Sequence, residues 1–175
     1  MRTFRLLLAF ALAACGGAST QATSSAASVV KERAPVGGAL EPRSGSTVTG
    51  FVEVFARGDS AELHIRVAGA TAGKHGVHLH ETGDCSAPDA KSAGAHWNPG
   101  AGPHGAPGPT THGGDLGNLD VAADGSGTLT ITVAHKAEAL IGKAVVVHKA
   151  EDDLTTQPSG NSGDRVACGV LVQAP

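Results

Sequence analysis

Apolar and polar positions alternate along much of this chain. In Ala61–Val67, Leu63, Ile65 and Val67 fall on one face and Glu62, His64 and Arg66 on the other. Gly127–Val133 repeats the pattern, with Leu129, Ile131 and Val133 set against Thr128, Thr130 and Thr132. A period of two marks a half-buried strand, because successive side chains on a strand point to opposite faces. Thr47–Ala56 is a β-branched and aromatic run, Val36–Glu41 reads as a short first strand, and Ala144–His148 and Val166–Val172 are apolar runs. Arg57-Gly58-Asp59 and Asp124-Gly125-Ser126-Gly127 supply turns. Together these predict an all-β fold, an antiparallel sandwich or barrel. Helical periodicity is limited to one turn within Ala134–Leu140. Two segments, Glu81–Leu116 and Lys149–Asp164, fit no strand, and long loops of that kind in a compact domain are usually functional.

The first residues follow a different logic. Arg2 and Arg5 precede the apolar run Leu6–Ala14, and small residues follow, which is the layout of an export signal. The run is too short to span a bilayer. Leu12-Ala13-Ala14-Cys15 resembles the lipobox of bacterial lipoproteins, which implies cleavage before Cys15 and lipidation of that cysteine. Several acyl chains on one residue anchor stably where a single chain is marginal. Residues 15–34 are rich in Gly, Ala, Ser and Thr and read as a flexible tether with a span of roughly 25 Å. The expected organisation is therefore a lipoprotein signal peptide over 1–14, a tether over 15–34 and one folded domain over 35–175. The protein is expected in the bacterial cell envelope, membrane-anchored, facing the periplasm or the outer surface.

Composition narrows the class. Charged residues make up 17% of the chain and the net charge is −3, so the basic stripe of a nucleic-acid binder is missing. Glycine is high at 25 and aromatics low at 3%, which suits a small β protein with many turns. There are three cysteines. With Cys15 assigned to lipid, Cys85 and Cys168 remain in an oxidising setting and are expected to pair. Closing a loop of that length contributes roughly 4.5 kcal/mol on the chain-entropy model.

Histidines carry the candidate chemistry. His78 and His80 sit two apart, on one face of a strand, with Val77 and Leu79 turned to the core. His96, His104, His112 and Asp115 follow in one Gly/Pro-rich segment, and three imidazoles with one carboxylate complete a tetrahedral site of the kind zinc accepts. Four protein ligands make such a site structural rather than open.

The segments GVHLHETGDC, AHWNPGAGPH, HGGDLGNL, VVVHKAEDD and DRVACGV resemble, in order, those of the copper/zinc superoxide dismutase family. The resemblance covers about Ala39 to Val172. It implies an eight-stranded antiparallel Greek-key barrel with two long functional loops, one copper and one zinc per subunit, and dismutation of superoxide to dioxygen and hydrogen peroxide. His78, His80, His96 and His148 match the copper ligands; His96, His104, His112 and Asp115 match the zinc ligands, so that His96 bridges. Arg165 matches the anion-guiding arginine and Asp152 the carboxylate linking a copper ligand to a zinc ligand. Cys85 and Cys168 match the intrasubunit disulfide. A homodimer is compatible with the resemblance. Imidazoles suit copper and zinc, whereas Cu(I) storage prefers Cys and Met, and no methionine follows Met1.

The chain departs from the family pattern in places. Ser86–Ala95 is longer than in cytosolic members, the interval from His104 to His112 is slightly short, and Trp97 stands where Phe or Tyr is usual. Lys149–Asp164 lacks the steering lysine, so Arg165 is expected to carry most of the positive focus. His75 is expected beneath the copper site as a structural residue, and His64 and His135 as ordinary exposed ones. Two rivals are a metal-delivery module of the same fold without turnover, which would not need Arg165, and a copper-only dismutase, which would not need the zinc set.

Overall fold

The computed structural model describes residues 36–174, so the expected signal peptide, the tether and Cys15 lie outside the described residues. The described strands are β1 (Val36–Pro42), β2 (Thr49–Arg57), β3 (Ser60–Ala68), β4 (Gly73–His80), β5 (Asp115–Val121), β6 (Gly127–Val133), β7 (Ala144–His148), β8 (Arg165–Val170) and the two-residue β9 (Val172–Gln173), and β3 and β6 fall where the alternation places them. Their order is β2-β3-β6-β5-β4-β7-β8-β1-β9, and pairing of β1 with β2 closes the first eight into an antiparallel barrel. The chain crosses from β3 to β4 over β6 and β5, the Greek-key connection.

Register explains the core. Leu63 faces Val54 on β2 and Ile131 on β6, and Ile65 faces Val52 and Leu129. On the other side Val77 pairs with Val147 and Leu79 with Val145. All ten belong to, or pack against, one apolar core. The opposite faces of β4 and β7 are not left to water. Ala144 and Val146 join Ala90, Ala93 and Cys168 in a second, smaller apolar cluster under the segment after β4. Ala144–His148 is apolar without alternation because both of its faces are buried.

Two sequence expectations need correction. β5 begins at Asp115, inside the segment read as loop, and was not foreseen. Gly117 at φ 80° interrupts its alternation, and Asp115, Leu116 and Gly117 are all buried, so only Asn118 and Asp120 are left as polar positions to read. The run Val166–Val172 is two strands rather than one. The break falls at Leu171, whose N–H donates to Lys143 O at 2.9 Å and whose carbonyl accepts from Gly142 N–H at 2.8 Å. The described helices are short 3-10 turns, Lys91–Ala93 and Ala137–Leu140. Among the described residues no helix is long and apolar enough to cross a membrane.

Candidate metal centre

His78 and His80 leave β4 on the face away from the main core, and His148 ends the neighbouring β7. Bulges interrupt the ladders beside them, between Gly76 and His78 and between Val147 and His148, and re-aim the side chains. His96 is brought over this face by an isolated bridge to His80 and by Trp97, whose N–H donates to Leu79 O at 2.8 Å. The chain then loops out and returns at Gly114, which donates to Trp97 O at 2.8 Å. A Cβ on Gly114 would run into the Leu79 carbonyl, so the second glycine of HGGD is what lets Asp115 re-enter the sheet.

His78, His80, His96 and His148 hold ligand atoms within 4.8 Å of one another, and all four are buried. His78 Nδ1, His80 Nε2, His96 Nε2 and His148 Nε2 have no hydrogen-bond partner. Buried polar atoms are normally paired, so four orphans at one point fit a cation. The opposite nitrogens fix the tautomers. His78 Nε2–H donates to Asp152 Oδ2 at 2.8 Å, His80 Nδ1–H to Gly94 O at 2.9 Å and His148 Nδ1–H to Gly163 O at 3.2 Å. Burial is the main force on these rings, and it holds His80 down to about 2, His148 to about 3 and His96 to about 4, with His78 also lowered. They are neutral at pH 7, the form in which imidazole binds a metal.

The second cluster shares His96. Asp115 Oδ1 lies 3.1 Å from His96 Nδ1, 2.9 Å from His104 Nδ1 and 3.2 Å from His112 Nδ1, and the last is 3.4 Å from His96 Nδ1. His104 Nε2–H donates to Asp152 Oδ1 at 2.9 Å. Its neutral ring therefore turns a lone pair toward the Asp115 carboxylate, and only a proton or a metal cation resolves that contact. Burial opposes protonation of His104, but Asp152 and Asp115 outweigh it and raise its pKa. Burial likewise opposes ionisation of Asp115, and contacts led by His96 hold it down to about 2. Three nitrogens and one carboxylate oxygen are a tetrahedral zinc donor set. The second group whose ligand atoms all lie within 4.8 Å of one another is His78, His96, His104 and Asp115, without His112; His78 Nε2, however, is committed to Asp152 and its Nδ1 faces the four-histidine pocket, whereas His112 Nδ1 lies 3.2 Å from Asp115 Oδ1.

Asp152 is fully buried and accepts from one ring of each pocket. Two carboxamides that the sequence did not single out hold this arrangement. Asn118 on β5 donates to Asp152 O at 2.9 Å and accepts Asp152 N–H at 2.8 Å. Gln157 pairs with the backbone of His104 at 2.8 Å in both directions. Their partners are 34 and 53 residues away, so no local pattern marks either residue.

Arg165 starts β8 opposite His148, and its guanidinium donates to Ala90 O at 2.8 Å and Gly94 O at 2.9 Å. Gly94 O also accepts from His80, so one carbonyl ties the arginine to the four-histidine pocket. The disulfide Cys85–Cys168 fastens the segment bearing those carbonyls to β8. His75 is buried and bonds His148 O at 2.7 Å, beneath the pocket as expected. His64 and His135, expected to be exposed, are half-buried: His64 meets Glu62 at 2.6 Å, and the His135 ring packs 4.6 Å from Trp97.

Residues 48–171 match the family described as copper/zinc superoxide dismutase. A superoxide dismutase [Cu-Zn] of Caulobacter vibrioides is 41% identical over 128 residues, covering 62% of this chain and 70% of that protein. One from Deinococcus radiodurans is 37% identical over 141 residues, 71% of this chain and 77% of its own length. An extracellular superoxide dismutase [Cu-Zn] of Caenorhabditis elegans is 33% identical over 178 residues, 95% of this chain and 77% of that protein.

Proposed function

The chain belongs to the copper/zinc superoxide dismutase family, and from that premise we propose how its residues divide the work. The reaction is dismutation of superoxide to dioxygen and hydrogen peroxide, with copper and zinc as cofactors. His78, His80, His96 and His148 hold copper; His96, His104, His112 and Asp115 hold zinc. The observation that carries this is the set of four convergent, unpartnered imidazole nitrogens, one on a ring whose other nitrogen faces the second cluster. Bound copper supplies the one-electron chemistry that oxidises one superoxide and reduces the next.

The chain supplies orientation and protons. Asp152, Gly94 O and Gly163 O hold three rings in the tautomers that aim the correct nitrogen inward. With copper bound and reduced, His96 Nε2 would release the metal, take up a proton from solvent and give it to the departing peroxide, and water would supply the second proton. Arg165 keeps its positive charge beside His80 and His148 and orients the incoming anion. Its guanidinium is held by neutral carbonyls, which leave that charge available. A metal-delivery module would have no use for it. Arg165→Leu is expected to keep both metals and lose most dismutation, at least about tenfold; unchanged turnover at full metal content would remove Arg165 from the mechanism.

The same reading extends to location. Residues 1–14 act as an export signal, Cys15 carries lipid, and 15–34 tether the domain to a membrane. The Cys85–Cys168 disulfide supports an oxidising compartment. Cys15→Ala is expected to move the protein from the membrane to the soluble fraction of the producing cell. If wild type and variant partition alike, the anchor is not at Cys15.

A further inference from the structure

The loop after Trp97 is poorly held by its own backbone. Among the described residues, no backbone–backbone hydrogen bond engages the chain from Gly102 to Thr111. Yet His104, in the middle of it, must point Nδ1 at Asp115 and Nε2 at Asp152 at once. Pro103 has no N–H to give, and Gly105 N–H is used on Asp115 Oδ2 at 3.0 Å. Both main-chain groups of His104 go instead to the carboxamide of Gln157. His104 N–H donates to Oε1 at 2.8 Å and Nε2 donates to His104 O at 2.8 Å, which imitates one rung of a strand ladder. A side chain must offer an acceptor and a donor side by side to do this, and only Asn and Gln carry that pair.

Gln157 is itself presented by a stiff turn. Asp153 accepts from Thr155 N–H at 2.9 Å, Thr156 N–H at 2.8 Å and Asn161 Nδ2 at 3.0 Å, and Gln157 Nε2 also reaches Thr155 O at 3.2 Å. The residue is exposed and does not belong to the apolar core, so the barrel does not depend on it.

We propose that Gln157 is a positioning residue for zinc: by pairing with the backbone of His104 it makes zinc retention a property of the second loop as well as the first. This rests on the zinc reading of His96, His104, His112 and Asp115. Residues that orient metal ligands typically change affinity 10–100-fold when removed, and an exposed clamp belongs at the low end.

The test is zinc affinity of the full chain, reloaded with zinc alone and titrated with a competing chelator, for wild type, Gln157→Leu and Gln157→Glu. Thermal unfolding of the metal-free forms is measured alongside. Gln157→Leu, which loses both bonds, is expected to bind zinc about tenfold more weakly with metal-free stability unchanged. Gln157→Glu keeps the acceptor and should fall between the two; it decides the matter if the leucine variant does not fold. Affinities equal to wild type within about twofold, or weaker binding matched by an equally destabilised metal-free protein, would overturn the proposal. If wild type itself holds no zinc, the zinc reading fails, and this proposal with it.

Discussion

At the scale of single residues, Asp152 decides the most. One carboxylate takes a hydrogen from His78 and another from His104, so it sets the free nitrogen of a ring in each pocket. Burial raises the cost of its charge, and the bonds led by His78 more than offset that cost and lower its pKa. Asp152→Asn replaces one acceptor oxygen with a donor, which cannot accept from both rings. The variant is expected to bind zinc 10–100-fold more weakly, as chelator competition would measure; near-wild-type affinity would mean that the tautomers are fixed some other way. The glycine facing this carboxylate has an equally plain reason. Gly160 sits at φ 65°, and a Cβ there would fall on Asp152 and crowd His104 Nε2 at 2.7 Å.

At the scale of elements, the segment from Cys85 to His96 works as a strap. It buries Ala90 and Ala93 on the outer faces of β7 and β8, and it lends the Ala90 and Gly94 carbonyls to Arg165. The disulfide to Cys168 holds the strap down, and Arg43 Nε adds a bond to Cys85 O at 2.7 Å. Replacing the pair, as Cys85→Ser with Cys168→Ala, is expected to cost 2–5 kcal/mol of stability. Denaturant unfolding would measure that, and activity at full metal content should fall as well, because Arg165 loses its seat. Stability lost with activity intact would make the strap structural only. Sequence reading identified the strap as an insertion and its cysteines as a pair. What the strap buries and bonds depends on contacts such as that of Arg165 with Ala90 O, 75 residues apart, which no local pattern encodes.

At the scale of the whole molecule, the strands were legible wherever one face meets the core and the other meets water. β3 and β6 show this in Leu63, Ile65, Leu129 and Ile131. β5 was not legible, because its first three residues are all buried and Gly117 breaks the alternation before Asn118 and Asp120 can establish it. The candidate ligands were legible for the opposite reason: a metal demands particular side chains, and histidines are conspicuous in a Gly/Pro-rich stretch. Asn118 and Gln157 hold the backbones of Asp152 and His104, using ordinary amides that any surface carries. We propose that four inward-facing imidazole nitrogens make this barrel a redox catalyst. The most direct test is superoxide dismutation by residues 33–175, loaded with copper and zinc, against His148→Ala with metal content quantified in both. Strong activity in the first and its disappearance with copper in the second is the predicted result. Full loading of both metals without turnover, or activity that survives the loss of His148, would mean that these four imidazoles do not build the catalytic centre.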